Sequence, residues 1–268
     1  MTHAALRRAL LFVLILTCCL MMASTAMMQE ATETPEPAAP PHWEYEGEHG
    51  PGHWGELDST YAACSEGLAQ SPIDISGAQG VDLSDITFNY APSALNIFNN
   101  GHTVQVAYDA GSSILYNGIT YDLIQMHFHH PSEHTVNGEA FAMELHLVHR
   151  SASGNLAVVG VLLRESETDN ANYAVLFDNL PTEVGDPQPT DLTVDAASLL
   201  PESKGFFTYN GSLTTPPCSE IVRWLVLTEP VEVSAAQLEA FATLFENDAR
   251  PVQPLNGRDL LEDTTPGN

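Results

Sequence analysis

Six of the eleven histidines of this chain lie in one stretch, residues 123–150. An overlapping run, residues 121–128, alternates apolar and other residues and is rich in large and β-branched side chains, which is typical of a β-strand. Side chains two residues apart share a face of a strand. We therefore expect Gln125, His127 and His129 on one side of this strand.

A second alternating run covers residues 141–148, after Pro131 and a turn-forming segment interrupt the first one. Two such runs joined by turn residues predict an antiparallel pair. Glu144, His146 and Val148 share one face of the second strand. This pairing would bring His146 beside the histidines of the first strand.

Three neutral imidazoles with one open position form a catalytic zinc site when they converge on one ion. His127, His129 and His146 are the predicted ligands, and Gln125 and Glu144 are positioned to accept hydrogen bonds from their ring N–H groups. The alternative is a loose histidine-rich patch without a specific ion. A helical zinc-protease site is excluded because the chain has no H-E-x-x-H motif.

Five motifs occur in the order found in one enzyme family: QSPIDI (70–75), QMHFHHPSEHTV (125–136), ELHLVH (144–149), SLTTPPC (212–218) and RPVQPLNGR (250–258). Together they closely resemble the α-class carbonic anhydrases. The resemblance spans about His42 to Arg258. It departs from the usual pattern after the second ligand, where His130-Pro131 stands in place of Trp-Gly, and we expect altered packing there without loss of zinc.

The resemblance implies a mainly β (α+β) single domain, with a large, twisted, mostly antiparallel sheet of about ten strands and a few short surface helices. It implies a zinc lyase (carbonate dehydratase) that catalyses the reversible hydration of CO2 to bicarbonate and a proton. In that reaction a zinc-bound hydroxide attacks CO2. The Ser71-Pro72 peptide bond is expected to be cis.

The same resemblance assigns roles to individual residues. His127, His129 and His146 would bind Zn2+, whereas His130, His134 and His149 would not. Thr214 would accept a hydrogen bond from the hydroxide and donate one to Glu133, since an ionised carboxylate only accepts. His102 would shuttle protons, which suits an imidazole with an ordinary pKa of about 6.5. Thr215 and an apolar wall would contact the substrate, and the wall would consist of Val148, Val158, Leu213, Val222 and Trp224. Three further side chains would face the active-site cleft: Tyr45, Asn100 and Gln105.

Composition limits the partners of this chain. Its 35 acidic residues face only 8 lysines and arginines, giving a net charge of −27. Such a surface disfavours binding to nucleic acids and anionic membranes. The expected partner is therefore a small molecule, CO2 or bicarbonate, and the protein is expected to be a monomer or a homodimer.

The N-terminus has the pattern of an export signal. Arg7 and Arg8 precede a short apolar core, and small residues end it at Ala26. We predict a signal peptide (1–26), a Pro/Glu-rich spacer (27–41), a catalytic domain (42–262) and a C-terminal tail (263–268). The mature protein would be periplasmic or secreted, without a stable membrane span; a lipid anchor on Cys18 is the alternative.

Two cysteines remain after the signal, Cys64 and Cys218. An even number of cysteines in an exported chain is compatible with a disulfide, and two buried thiols are the alternative. The family resemblance implies the disulfide, which would brace the loop that carries Thr214.

Two other functions use the same fold. A binding or scaffold protein would have lost a zinc histidine, and a general zinc esterase would cleave esters. The presence of the three histidines, Thr214 and Glu133 disfavours the first of these.

Overall fold

The computed structural model describes residues 41–188 and 190–267. The predicted signal peptide, Cys18 and residues 27–40 of the spacer lie outside these ranges. The described strands are β1 Asp74–Ile75, β2 Gln79–Val81, β3 Thr87–Asn89, β4 Ser93–Ala94, β5 Asn96–Asn99, β6 Val104–Ala107, β7 Ser113–Tyr116, β8 Ile119–His129, β9 Thr135–Val136, β10 Glu139–Ala140, β11 Met143–Ser151, β12 Leu156–Ser166, β13 Thr193–Val194, β14 Phe206–Gly211, β15 Val222–Leu227, β16 Val231–Ser234 and β17 Leu261–Asp263. The α-helices are α1 Trp54–Leu57, α2 Ala63–Glu66, α3 Ala171–Phe177 and α4 Ala235–Ala242, and three short 3₁₀ helices span Gly47–His49, Ser59–Tyr61 and Ala196–Leu199. No helix in the described ranges is long and apolar enough to cross a membrane.

Within the described ranges, twelve strands form one mixed sheet with the main order β2-β17-β14-β15-β12-β11-β8-β6-β5. Strands β12 and β15, β12 and β16, and β17 and β2 pair in parallel, whereas the other pairs are antiparallel. The predicted large, mostly antiparallel sheet is confirmed. The sheet has twelve strands in the described ranges, where the resemblance implied about ten.

Strand β11 is buried on both faces from Met143 to His149, and the alternation of its side chains divides the interior in two. Met143, Leu145 and Leu147 point into the larger hydrophobic core. The intervening Glu144 and His146 point to the opposite face. The polar face of β11 is therefore as deeply buried as its apolar face, with both of these side chains at most 1% exposed.

A β-bulge in β8 sets where this polar face begins. Gln125 pairs with Val148, but the next pair joins Leu123 to His149 and leaves Ile124 as the extra residue. A bulge adds one residue to one strand and shifts the faces that follow. As a result, Leu123 joins the larger core, while Ile124 and Gln125 both lie toward the other side.

The two longer helices begin and end at local signals. Ser234 and Gln237 form a capping box at the start of α4. Helix α3 spans Ala171–Phe177 and ends before Pro181, whose preceding residue is disfavoured in the helical conformation. Phe245 lies beyond the end of α4 and is partly buried.

The C-terminal segment is bonded to the sheet. Strand β17 pairs with β2. The residues after β17 make two more hydrogen bonds to this region. Thr264 N donates to Val81 O at 3.0 Å, and Gly267 N donates to Asp85 Oδ1 at 2.7 Å. The segment expected as a tail therefore packs against residues 81–85.

Cys64 and Cys218 form a disulfide between residues 154 positions apart. Both cysteines are buried beside Trp54 and Tyr61. The bond joins the N-terminal helical region to the loop that precedes β15.

We predict that the double substitution Cys64→Ala and Cys218→Ala lowers the free energy of unfolding by up to about 5 kcal/mol, because a long loop is no longer closed in the unfolded chain. Denaturant unfolding of the double variant and of oxidised wild type measures the difference. The reduced wild-type protein serves as the control, since it has open thiols but no change in side-chain volume. Equal midpoints for oxidised and reduced protein would contradict the prediction.

Candidate active site

Strands β8 and β11 bring three histidines together. His127 and His146 are paired directly across the two strands, and His129 is paired with Glu144. The ring centroids of the three histidines lie 4.8 to 5.2 Å apart. One nitrogen from each ring lies within 4.8 Å of the other two. This spacing allows a single ion to contact all three.

Two of the rings are held through their Nδ1 atoms. His127 Nδ1 is 2.8 Å from Gln125 Oε1, and His129 Nδ1 is 2.7 Å from the carbonyl oxygen of Asp248. A side-chain or backbone acceptor of this kind fixes both the ring orientation and the tautomer. The Nε2 atoms of His127 and His129 are therefore the ones free to act as ligands.

The third ring is held by a buried carboxylate. Glu144 Oε1 lies 3.0 Å from His146 Nε2 and 2.8 Å from His134 Nδ1, while its Oε2 accepts the backbone N–H groups of Glu133 and His134. The His146 contact is close but misaligned for a hydrogen bond, so Glu144 acts on this ring through its charge. Burial alone would raise the pKa of the Glu144 carboxyl, but His134 and His146 outweigh burial and hold that pKa well below its usual range.

A hydrogen-bonded chain extends from Glu144 away from the histidine triad. His134 Nε2 lies 2.7 Å from the Tyr209 hydroxyl, which donates to Ser71 Oγ at 2.9 Å. The spacing of His134, Glu144 and His146 would also suit a metal ion. However, the ring nitrogens of His134 already have partners, so this group functions as a support for His146.

Charge and burial act differently on the three rings. Burial lowers the pKa of His127 well below its usual value, and the neighbouring rings of His129 and His146 lower it further. Burial also lowers the pKa of His146, although Glu144 opposes this effect. For His129, burial acts downward too, but nearby carboxylates outweigh it and the pKa is raised. His127 and His146 are thus favoured in the neutral form that binds metals.

Glu133 lies within the histidine group and has one partner already. Its Oε1 accepts the backbone N–H of Arg250 at 2.9 Å, whereas its Oε2 lies 3.5 Å from His129 Nε2 and 3.9 Å from His146 Nδ1. Glu133 Oε2 and His129 Nε2 are buried and have no hydrogen-bond partner among the described residues. Thr214 is only 6% exposed, but within these same residues no hydrogen bond joins its hydroxyl to Glu133.

The loop that carries Thr214 is held at several points. Leu213 N donates to Ser219 O at 3.0 Å, and Cys218 N donates to Thr215 O at 2.9 Å. The disulfide at Cys218 anchors the end of this turn. These contacts close the turn, and its residue Thr215 is partly buried.

The predicted apolar wall forms one cluster. Val148, Val158, Val222 and Trp224 are buried together, and Leu213 packs against them. The Trp224 ring lies 4.8 Å from the His146 ring between centroids. The structure thus brings this apolar group directly beside one of the three histidines.

The remaining predicted cleft residues form two groups. Gln105 is paired with His127 across β6 and β8, and its Oε1 accepts from Asn100 Nδ2 at 3.3 Å. The half-buried His102 ring stacks on Trp43, with 3.7 Å between centroids and 8° between planes. Tyr45 has a buried hydroxyl without a hydrogen-bond partner among the described residues; burial raises its pKa well above the usual value, and the charges of Glu133 and Asp248 add to this rise.

Comparison with known proteins identifies the family. The family model described as "Eukaryotic-type carbonic anhydrase" matches residues 49–264. The chain belongs to the α-carbonic anhydrase family. The predicted family and enzyme class, a carbonic anhydrase, are therefore confirmed.

Several relatives extend this match over most of the chain. A carbonic anhydrase from Nostoc sp. is 47% identical over 227 residues, covering 82% of this chain and 86% of the relative. The α-carbonic anhydrase of Thermovibrio ammonificans, solved with the inhibitor sulfanilamide, matches with a TM-score of 0.80 and 41% identity over 83% of this chain and all of that one. Dioscorin, solved with ascorbate, matches with a TM-score of 0.75 and 30% identity, covering 82% and 97%.

Family motifs also contain supporting residues to which the sequence analysis gave no role. Arg250 has 2% exposure, and its guanidinium donates to Gln70 Oε1, Ser71 O and Cys64 O at 2.8 to 2.9 Å. Asp248 is 1% exposed, and burial raises its pKa to about 7. The family motif that begins at Arg250 could have indicated a role for this residue. No local pattern distinguishes Asp248, because its role depends on its contact with β8.

The two residues that depart from the family pattern are also accommodated. His130 Nδ1 lies 2.8 Å from Glu246 O, and its backbone N–H donates to Asp248 Oδ1 at 2.6 Å. The His130-Pro131 peptide bond is cis, as is the predicted Ser71-Pro72 bond. His149 points away from the triad, into the larger core, where its Nε2 lies 2.8 Å from the Tyr90 hydroxyl.

We predict that Tyr209→Phe lowers the free energy of unfolding by about 1 to 3 kcal/mol, because His134 Nε2 and Ser71 Oγ both lose a buried partner. Urea unfolding measures the loss. Tyr61→Phe is the matched control, since the Tyr61 hydroxyl makes only a 3.4 Å contact with Pro41 O. A Tyr209→Phe variant as stable as that control would contradict a supporting role for this chain of hydrogen bonds.

Proposed function

We propose that this chain is an exported zinc carbonic anhydrase that catalyses the reversible hydration of CO2 to bicarbonate and a proton. The observation that carries the proposal is the convergence of His127, His129 and His146 beside a buried apolar wall. Membership of the carbonic anhydrase family supports the same reaction.

The donor atoms fit a zinc ion. His127 and His129 each have Nδ1 held by an acceptor, which leaves Nε2 for the ion. His146 has Nε2 against Glu144, which leaves Nδ1. The buried atoms His129 Nε2 and Glu133 Oε2, which have no hydrogen-bond partner in the described ranges, also fit a site built around a cation. Zn2+ bound by three imidazoles would act as a Lewis acid that makes water nucleophilic near neutral pH.

Thr214 and Glu133 would orient the attacking oxygen. Arg250 N already occupies Glu133 Oε1, which leaves Oε2 to accept from the Thr214 hydroxyl. An ionised carboxylate has no proton to give, so Thr214 must donate to it and keep its own lone pairs available. The threonine oxygen would then accept a hydrogen bond from the nucleophile and direct its lone pair toward CO2.

The apolar wall would hold CO2 close to the histidines. CO2 lacks a strong hydrogen-bonding group, so moving it from water to a hydrocarbon surface breaks no strong hydrogen bond. Val148, Val158 and Trp224 provide such a surface, and Leu213 and Val222 complete it. Thr215, next to Thr214, would contact the polar end of the substrate or product.

His102 would transfer the product proton to buffer. Its ring is half-buried and stacked on Trp43. Burial lowers its pKa, with a further decrease from His42 and an opposing effect from Glu44. A ring with such a pKa releases its proton readily near neutral pH.

The disulfide supports export to an oxidising compartment. We propose a periplasmic or secreted mature protein, with residues 1–26 removed and residues 27–41 as a spacer. CO2 and bicarbonate would be its partners, and it would act as a monomer or homodimer.

The principal test of the function is His146→Ala. The purified mature wild-type protein is expected to contain one tightly bound zinc per chain and to hydrate CO2. The variant should lose both properties, because two imidazoles cannot hold the ion as three do. Metal analysis and a stopped-flow hydration assay measure them on the same preparations.

His149→Ala is the matched control for this experiment, since His149 is equally buried but faces the other core. It should retain zinc even if its stability falls. Zinc-free but active wild-type protein, or ester cleavage without CO2 hydration, would contradict the proposed function.

A second prediction concerns Thr214→Val, which keeps the shape of the side chain but removes the hydroxyl. We expect kcat/KM for CO2 hydration to fall on the order of 100-fold, as with loss of one oriented hydrogen-bonding group. Zinc content should stay the same, because Thr214 is not a ligand. A variant with wild-type kcat/KM would remove the proposed role of Thr214.

A third prediction concerns His102→Ala. In dilute buffer the turnover number should fall roughly 10- to 100-fold, because the general acid–base group that carries the proton outward is lost. Added imidazole should restore the rate, whereas kcat/KM for CO2 should change little. If turnover in dilute buffer stays at the wild-type value, His102 is not the shuttle.

A further inference from the structure

A second group of potential metal ligands lies in the N-terminal segment. His42, Glu44 and His49, here called the N-terminal cluster, each offer one ligand atom within 4.8 Å of the others. His42 Nε2 is 3.0 Å from Glu44 Oε1, and the two histidine rings lie 5.8 Å apart at 90°. All three side chains are exposed, and none belongs to the active-site triad.

The backbone beneath the N-terminal cluster is fixed. Glu44 N donates to His49 O at 3.0 Å. The indole Nε1 of Trp54 donates to Glu44 O at 2.9 Å and to His49 O at 3.0 Å. Trp54 has no exposed surface. The backbones of Glu44 and His49 are therefore hydrogen-bonded to each other and to the buried Trp54 ring. This reduces the conformational entropy that the chain would lose on binding an ion.

The local charge favours a cation. Residues 41–58 contain five acidic residues and no lysine or arginine. The negative charge of Glu44 is therefore not neutralised by a basic side chain of its own segment. Among the described residues, the hydrogen-bond partner of Glu44 Oε1 is His42, a side chain that can itself bind a metal.

We propose that the N-terminal cluster binds one divalent transition-metal ion, through one nitrogen each of His42 and His49 and a carboxylate oxygen of Glu44. Imidazole and carboxylate are both zinc ligands with bonds of about 2.0 to 2.2 Å, so two ligands of a tetrahedral ion lie roughly 3.3 to 3.5 Å apart. The His42–Glu44 pair is close to this distance, and one ligand atom of the exposed His49 ring lies within 4.8 Å of both. The fourth position would hold water.

Such an ion would join both ends of the segment that carries Trp43. Trp43 lies between two ligands of the N-terminal cluster in sequence and stacks on His102. An ion bound only in the folded state stabilises that state by mass action. The site would therefore stabilise the N-terminal segment from a position outside the histidine triad.

The test titrates Zn2+ into mature protein that already holds one tightly bound zinc per chain. Isothermal titration calorimetry should detect a second, weaker equivalent. At a Zn2+ concentration about 100 times its dissociation constant, the thermal midpoint should rise by roughly 5 to 10 °C. The second equivalent and the shift should be lost in His42→Ala and in His49→Ala.

His53→Ala is the matched control, because His53 is an exposed histidine of the same segment that lies outside the N-terminal cluster. It should bind the second equivalent as the wild type does. No second equivalent in the wild type, or equal binding by His49→Ala, would overturn the proposal. The same titration of His146→Ala separates this site from the catalytic one, since the weaker binding should persist there even when activity is lost.

Discussion

The antiparallel pairing of β8 with β11 is the constraint on which the site depends. Its register places His127 opposite His146 and His129 opposite Glu144. Three residues from two segments can converge only if both the register and the facing direction are correct. The apolar side chains between them anchor this register in the larger core, because a slip by one residue would turn polar groups into that core.

Around the triad, buried polar groups replace the water that would otherwise solvate it. Glu144 accepts from two backbone N–H groups, and the carbonyl of Asp248 holds His129. Arg250 links the loop containing Gln70 to the disulfide region through Cys64. Each of these groups is costly to bury alone, and their mutual bonds offset that cost. The rigidity of the site is therefore a property of several distant segments.

The sequence predicted the paired strands and the histidine triad because both follow from local alternation. The roles of Thr214, His102 and the apolar wall required the family resemblance, since single residues of these types have no distinctive spacing. Neither source identified Asp248, whose carbonyl reaches His129 from 119 positions away in sequence. The short edge strands were also beyond local patterns, because their pairing within the sheet determines them.

The bulge at Ile124 has an evolutionary consequence. From Gln125 to His129, the pairing with β11 determines which face of the sheet each side chain of β8 lies on. The same pairing determines the faces of the β11 side chains. Inserting or deleting one residue directly after Gln125 would turn His127 and His129 to the face of the strand that Met126 and Phe128 now occupy. Length variation among descendants of this chain should therefore accumulate in the turn between β9 and β10, while the strands and the segment that carries Glu133 and His134 keep a constant length.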